Sequence, residues 1–191
     1  MENETFRMTL ESFYDVDKIH CNAEKALELL KDAEQNNNMD SSLTEAVFFI
    51  ILNTPNYKKQ VALIDAIISC SSQNFKLMLL NHTISNFWAL PTDRKDKFYY
   101  LIGRTFNILG FRDILAITDL EIQEFIWSRI NADRSIVRDW DDDLFLEFLT
   151  RCKPFVASLI SKIKIPRNKV QKYIDLPMNP KNRATLYGLF K

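Results

Sequence analysis

The sequence predicts an all-α fold of antiparallel helix pairs, in a HEAT-like (ARM-like superhelical) or irregular helical bundle arrangement. Three observations point there. Apolar residues recur at i, i+3, i+4 and i+7 through most of the chain, which is the period of one helix face. Only three glycines occur in 191 residues, Gly103, Gly110 and Gly188, too few for the turns of a β-rich chain. The periodic stretches are joined by connections of about two to eight residues, the length that sets antiparallel neighbours. The pairs recur at roughly 35–45 residues, as HEAT-type pairs do, without repeated sequence words.

In order, a short helix is expected over residues 4–14, with a loop at 15–19. The next helix covers about 22–34, with Ala23, Ala26, Leu27, Leu30 and Ala33 on one face, and the run Gln35-Asn36-Asn37-Asn38 stops it. Residues 43–52 are apolar nearly all round and read as a central, buried helix. Thr54 as N-cap, with Pro55 in the first helical position, opens a helix to about Cys70 with Val61, Ile64, Ile67 and Ile68 facing inward. Residues 72–88 and 92–109 form a pair. In its second member Phe98, Leu101, Ile102, Thr105, Phe106 and Leu109 share the buried face, while Lys97, Tyr100 and Arg104 fall on another. Thr118-Asp119-Leu120-Glu121 has capping-box spacing and starts a helix to about Ile130.

After a polar loop, Leu144, Phe145, Phe148, Leu149, Cys152, Phe155, Val156, Leu159, Ile160 and Ile163 trace one stripe, which Pro154 kinks or divides. A short helix near 168–174 precedes Pro177 and Pro180, which interrupt any long helix and leave a loosely attached end. Residues 1–163 are thus expected to form one helical domain and 164–191 a basic segment.

Hydrophobic residues at 47% and charged ones at 26% describe a globular chain, able to bury about 70% of its unfolded surface. Cys21, Cys70 and Cys152 are odd in number and far apart, which argues against a disulfide framework or a zinc ribbon and for a reducing compartment. Met1-Glu2-Asn3-Glu4 lacks the basic and apolar regions of a signal peptide, and the apolar run at 46–52 is too short to cross a bilayer, so a soluble intracellular protein is expected. The formal net charge is zero, but beyond Leu159 eight basic residues face Asp175 alone. Such asymmetry marks an interaction tail.

No phosphate loop, dinucleotide-binding glycine pattern, nucleophile elbow or metalloprotease helix occurs. His20 and His82 lack partners at metal-ligand spacing, and His20-Cys21 are adjacent, whereas nucleophile and base normally converge from distant positions. Asp139-Trp140-Asp141-Asp142-Asp143 offers carboxylates for Mg²⁺ or Ca²⁺, or for a basic partner segment. It lacks the ordered spacing and glycine of an EF-hand loop, and its acids suit the first turn of the following helix. No cofactor, metal or small-molecule substrate is expected. Phe87 and Trp88, at a helix end, read either as core or as an exposed aromatic anchor. Lys162, Lys164, Arg167, Lys169 and Lys172, interleaved with Ile163, Val170 and Ile174, read either as phosphate contacts or as the solvated face of a helix that completes the core.

One stretch carries more specific words: Phe87-Trp88, then Asp93-Arg94-Lys95-Asp96-Lys97-Phe98-Tyr99-Tyr100-Leu101-Ile102-Gly103-Arg104. It resembles the nucleolar ribosomal-RNA-processing protein 1 family, which has a Phe-Trp near a helix end followed by Ile-Asp-Arg-x-Arg-Leu-Asp-Lys-Phe/Tyr-x-x-Leu-Ile-Arg. Phe87, Trp88, Asp93, Arg94, Asp96, Lys97, Phe98, Leu101, Ile102 and Arg104 lie on that pattern. The linker is shorter, the second Arg and the Leu are missing, and Gly103 separates Ile102 from Arg104. Upstream, residues 23–31 resemble the family's first helix, and the 54–60 turn sits where the family has Ser-Asp-Lys/Arg-Pro…Gln. The family's long lysine-rich extension has no counterpart beyond the short basic end.

The resemblance implies a non-enzymatic factor of ribosome biogenesis in the nucleus and nucleolus. It would act in rRNA processing and assembly of the large-subunit precursor by binding pre-ribosomal proteins and precursor rRNA, with no membrane. Phe87, Trp88, Asp93, Arg94, Lys97 and Arg104 would form the partner-docking surface, and Lys162, Lys164, Arg167, Lys169 and Lys172 the RNA contact. The alternatives are a cytosolic helical adaptor that binds proteins only, and an enzyme using the 139–143 carboxylates with a metal.

Overall fold

A computed structural model describes residues 19–35 and 41–189. The helix expected at 4–14, the Asn36–Asn38 stop and the side chains of His20 and Cys21 lie outside the described residues. The fold is all-α: eleven α-helices are described, with no strand among the described residues beyond isolated bridges such as that between Gly110 and Arg138. The chain divides into two compact units, Met1–Phe106 and Asn107–Lys191. The division falls at the 3-10 turn Phe106–Ile108 rather than at the expected 163/164 boundary.

The first unit holds α1 (Ile19–Gln35), α2 (Ser41–Asn53), α3 (Tyr57–Cys70), α4 (Gln73–Asn86) and α5 (Lys95–Thr105). Each helix packs on the next but one: α1 on α3, α3 on α5, and α2 on α4. This makes two layers, with the turns between α2, α3 and α4 folding one layer back on the other. The stripe foreseen for α5 is the buried one, for Phe98, Leu101, Ile102, Thr105, Phe106 and Leu109 are all shielded. Phe98 lies against Phe48 of α2, with ring centroids 4.8 Å apart, and His82 of α4 meets the same Phe48 edge-on. α2 buries Leu43, Thr44, Ala46, Val47, Ile50 and Ile51, but its Glu45 is exposed, so it is less enclosed than its composition suggests.

Two local expectations are corrected in this unit. Asn56, not Thr54, caps α3: its Oδ1 accepts from the backbone N–H of Lys58 and Lys59. Thr54 instead ends α2, donating its hydroxyl to Ile50 O at 2.7 Å. On α3 the buried face is Gln60, Leu63, Ile64 and Ile67, while the expected Val61 and Ile68 are half-buried.

The second unit holds α6 (Phe111–Ala116), α7 (Leu120–Ala132), α8 (Asp142–Arg151), α9 (Pro154–Leu159), α10 (Arg167–Val170) and α11 (Pro180–Gly188). Pro154 separates α8 from α9 as the sequence suggests, but Asp119, not the Thr118 that the capping-box spacing implied, caps α7, its side chain accepting from Ile122 N. Its core gathers aromatics. Trp127 stacks on Phe148 at 6.1 Å, and Trp140 sits between Phe111 at 4.5 Å and Phe145 at 5.1 Å. Phe155, placed on the same stripe, is 47% exposed, because α9 restarts in a new phase after Pro154.

The end of the chain is not loosely attached up to Leu189. Asn179 caps α11 with Pro180 in its first turn, so the proline starts this helix instead of breaking it. Ile163, Ile165, Val170, Leu186 and Leu189 are buried, and Asn182 is fully so. Asn182 Nδ2 donates to Leu149 O at 2.9 Å and to Cys152 O at 2.8 Å, satisfying the last carbonyls of α8. Replacing it with leucine removes both donors, and Asn182→Leu is expected to lower stability by about 1–3 kcal/mol. Urea denaturation of the full chain measures this, and an unchanged midpoint would refute the capping role.

Candidate partner-binding grooves

Helix α2 ends in carbonyls that no backbone N–H can reach. Two cations from the start of α5 supply the donors. Arg94 Nη1 donates to Leu52 O at 3.0 Å and to Asn53 Oδ1 at 3.1 Å, and Lys97 Nζ donates to the same Leu52 O at 2.9 Å. Positive charge is also favoured there by the helix dipole. The contact holds the start of α5 against the α2–α3 turn and leaves a groove of about 490 Å³ between them. Thr54, Pro55, Tyr57 and Gln60 form one wall, and Asp93, Arg94, Asp96 and Lys97 the other. The two sequence stretches 54–60 and 93–97 are thereby brought to one place. Tyr57 is 57% exposed at its edge.

The six residues expected on a docking surface do not act together. Phe87 is fully buried, with Tyr99 at 5.0 Å and Lys95 over its ring, so it is core and cannot touch a partner. Lys97 is 7% exposed and serves the α2 end, so its side chain is structural as well. Trp88 points outward from the 3-10 turn Phe87–Ala89 and is 76% exposed. That turn sends neighbouring aromatics opposite ways, Phe87 into the core and Trp88 to the surface. Arg104 lies outside the groove lining and pairs with Asp65 of α3 at 3.3 Å. The Tyr100 hydroxyl donates to the same carboxylate at 2.9 Å, and that hydrogen bond raises its pKa. Asp93 and Arg94 remain in the groove, joined by Tyr57 and Asp96.

The basic segment is also placed differently from an open phosphate-binding strip. Lys169 Nζ donates to Asp142 Oδ2 at 2.9 Å, Lys172 lies 4.0 Å from Asp143, and Lys164 Nζ donates to Gly188 O at 2.8 Å. The Tyr173 hydroxyl reaches Asp143 O at 3.2 Å. Lys162 and Arg167 are exposed. The basic partner that the acidic cluster invited is therefore this chain's own next segment. Asp141 caps α8, Asp139 takes a left-handed turn at φ 56°, and Asp142 accepts from Trp140 Nε1 at 2.8 Å and pairs with Arg134 at 3.3 Å. Among the described residues no three His, Cys, Asp or Glu side chains gather as a metal site would need.

A second groove, of about 250 Å³, lies in the second unit. One wall is the turn into α7, with Leu115, Ile117, Thr118, Leu120 and Gln123; the other is the α8–α9 junction, with Arg151, Cys152 and Lys153. The first wall repeats that of the first groove at one constant spacing along the chain: Leu52 and Leu115, Thr54 and Ile117, Pro55 and Thr118, Tyr57 and Leu120, Gln60 and Gln123. In both, an Asn or Asp caps the helix, and a Gln four residues later donates its amide to the carbonyl two residues before the cap. In both, the opposite wall opens the second helix after. The words differ, so only this capping pattern signals the repeat in the sequence.

Two predictions follow from these contacts. Burial lowers the Lys97 pKa, helped by Arg94, so its charge opposes folding at neutral pH and the cost lifts as pH rises through the lowered value. Lys97→Met is then expected to shift stability by less than about 1 kcal/mol while Arg94 still serves Leu52 O; adding Arg94→Ala should cost more than the two single changes summed, in a double-mutant cycle. At Asp142, burial raises the pKa, but hydrogen bonds from Lys169 and Trp140 and the charge of Arg134 outweigh it, and the net shift is downward. The stabilisation is full above the unfolded value of about 3.9 and is lost as pH falls through the folded one. Asp142→Asn should cost about 1–3 kcal/mol at neutral pH and flatten the acid limb of a stability–pH curve; a wild-type limb would contradict it. Among the described residues no helix is long and apolar enough to cross a membrane. Compared with known protein families, curated proteins and solved structures, the chain matches none.

Proposed function

We propose that this chain is a non-enzymatic assembly factor of the large ribosomal subunit precursor, acting in the nucleolus by holding partner proteins and precursor rRNA. One observation carries the reading. The two stretches that resemble the ribosomal-RNA-processing protein 1 family, 54–60 and 93–97, are distant in sequence yet line one groove. The two-layer packing of α1 to α5, each helix against the next but one, supports a HEAT-like scaffold, a form suited to binding partners along its faces. Trp88, 76% exposed and outside the lining of that groove, is a second aromatic contact for a partner, since exposed tryptophan concentrates binding energy in protein interfaces. Precursor RNA is met through Lys162 and Arg167 with the exposed edges of Lys164 and Lys172, as phosphate contacts without base readout.

The second reading is a cytosolic helical adaptor with no nucleic-acid role. It is favoured by the engagement of Lys169 and Lys172 with the 142–143 carboxylates, which reduces the charge available to phosphate. A tagged full-length chain purified from cells decides between them. Large-subunit assembly proteins and precursor rRNA are expected to co-purify, and Trp88→Ala should reduce their recovery about tenfold, the affinity lost with 1.4 kcal/mol, without lowering the melting temperature. Recovery of cytosolic proteins without ribosomal RNA would sink the nucleolar reading.

A further inference from the structure

The groove beside α7 holds a hydroxyl that the fold leaves unused. Thr118-Asp119-Leu120-Glu121 has capping-box spacing, yet Asp119 takes the cap through Ile122 N, and Thr118 stands outside the helix. The Thr118 side chain is exposed, lines the groove, and makes no hydrogen bond among the described residues. The backbone on both sides is extended, with φ and ψ of −63° and 125° at Ile117 and −67° and 122° at Asp119. Thr118 is thus presented on an open connection.

Two further observations bear on this hydroxyl. Asp119, Glu121 and Glu124 follow it, and no Lys or Arg lies between Ala116 and Glu124. The exposed Thr92 is also followed by an acid, but Arg94 and Lys95 come next. Protein kinases sort substrates by the charges that flank the acceptor, and the run after Thr118 suits a kinase with a basic substrate cleft. The opposite wall of the groove brings Arg151 and Lys153 from the α8–α9 junction. Lys153 is exposed and has no ion-pair partner among the described residues. Arg151 pairs with Glu147 at 3.1 Å, an exposed i,i+4 contact that contributes little and that a phosphate, with more charge and bidentate geometry, displaces.

We propose that Thr118 is a phosphorylation site for an acid-directed protein kinase, and that its phosphate is held across the groove by Lys153 and Arg151. The Thr118 Oγ attacks the γ-phosphorus of ATP. The new O–P bond forms as the bond to the β–γ bridging oxygen breaks, ADP leaves with that electron pair, and the hydroxyl proton passes to a carboxylate of the kinase. Engaging Glu121 requires only the first turn of α7 to open, and helix ends open most readily. Once formed, the phosphate ties the start of α7 to the α8–α9 junction. Lys153 and Arg151 hydrogen-bond its oxygens directly, whereas Asp119 and Glu121 repel it through water, so the net effect is stabilising. The site stands whether or not the chain serves a ribosomal precursor.

Incubation of the full chain with casein kinase II and Mg²⁺–ATP, followed by peptide mass spectrometry, tests the site. Phosphate is expected on Thr118, entering about tenfold more slowly in Glu121→Gln, and Thr118→Val should lose it. Phosphorylation should raise the melting temperature, followed by helix content, by about 2–4 °C. Arg151→Ala with Lys153→Ala, both at exposed positions, should accept the phosphate and lose that rise. An unmodified Thr118 overturns the proposal, as does a rate that Glu121→Gln leaves unchanged. A phosphorylated chain that melts no higher than the free one, or an equal rise in the Arg151/Lys153 variant, overturns the contact across the groove.

Discussion

A chain of short helices has many ends, and the carbonyls at those ends are the constraint on which this architecture depends. Each α-helix leaves four C=O groups without an internal partner. Here side chains from other segments supply the donors: Arg94 and Lys97 at Leu52, Asn182 at Leu149 and Cys152, Asn131 at Leu159, Lys164 at Gly188, and Arg183 at Ile174 and Leu176. Apolar faces bring helices together without fixing their ends. These hydrogen bonds fix which end meets which neighbour, and both grooves are spaces left beside such a junction.

The same constraint explains how charge is distributed. A count of basic residues treats each as a solvated charge, yet Arg94, Lys97, Lys164 and Arg183 are donors to backbone carbonyls, and Lys169 is bound by Asp142. The asymmetry between body and tail in the sequence is therefore partly balanced in space. Asp142 and Asp143 sit where the tail returns, so acids and bases that look like two separate features are two sides of one contact.

Periodicity made the cores legible. The stripe on α5 and the division at Pro154 follow from spacing and proline chemistry, both local properties. What escaped was decided at a distance or by one residue of phase. Thr54 and Asn56 are both good caps, and the choice between them rests on Thr54 closing α2. Phe87 and Trp88 are adjacent, and only the 3-10 turn decides which goes inward. Lys97 lies on a face that reads as solvated, and its burial depends on Leu52, far back along the chain. The echo between the two grooves was hidden because backbone geometry repeats there while most side-chain identities do not.

The three tryptophans lie in three different surroundings. Trp88 is almost as exposed as in an unfolded chain, Trp127 is 1% exposed, and Trp140 is half-buried beside the Arg134 guanidinium at 5.2 Å. Unfolding of the first unit therefore changes little around its tryptophan, whereas loss of the second unit carries Trp127 and Trp140 into water. Intrinsic emission is in effect a reporter of the second unit. A denaturation curve followed by emission and one followed by helix content coincide only if the two units melt together, so a simple pair of optical traces measures their cooperativity.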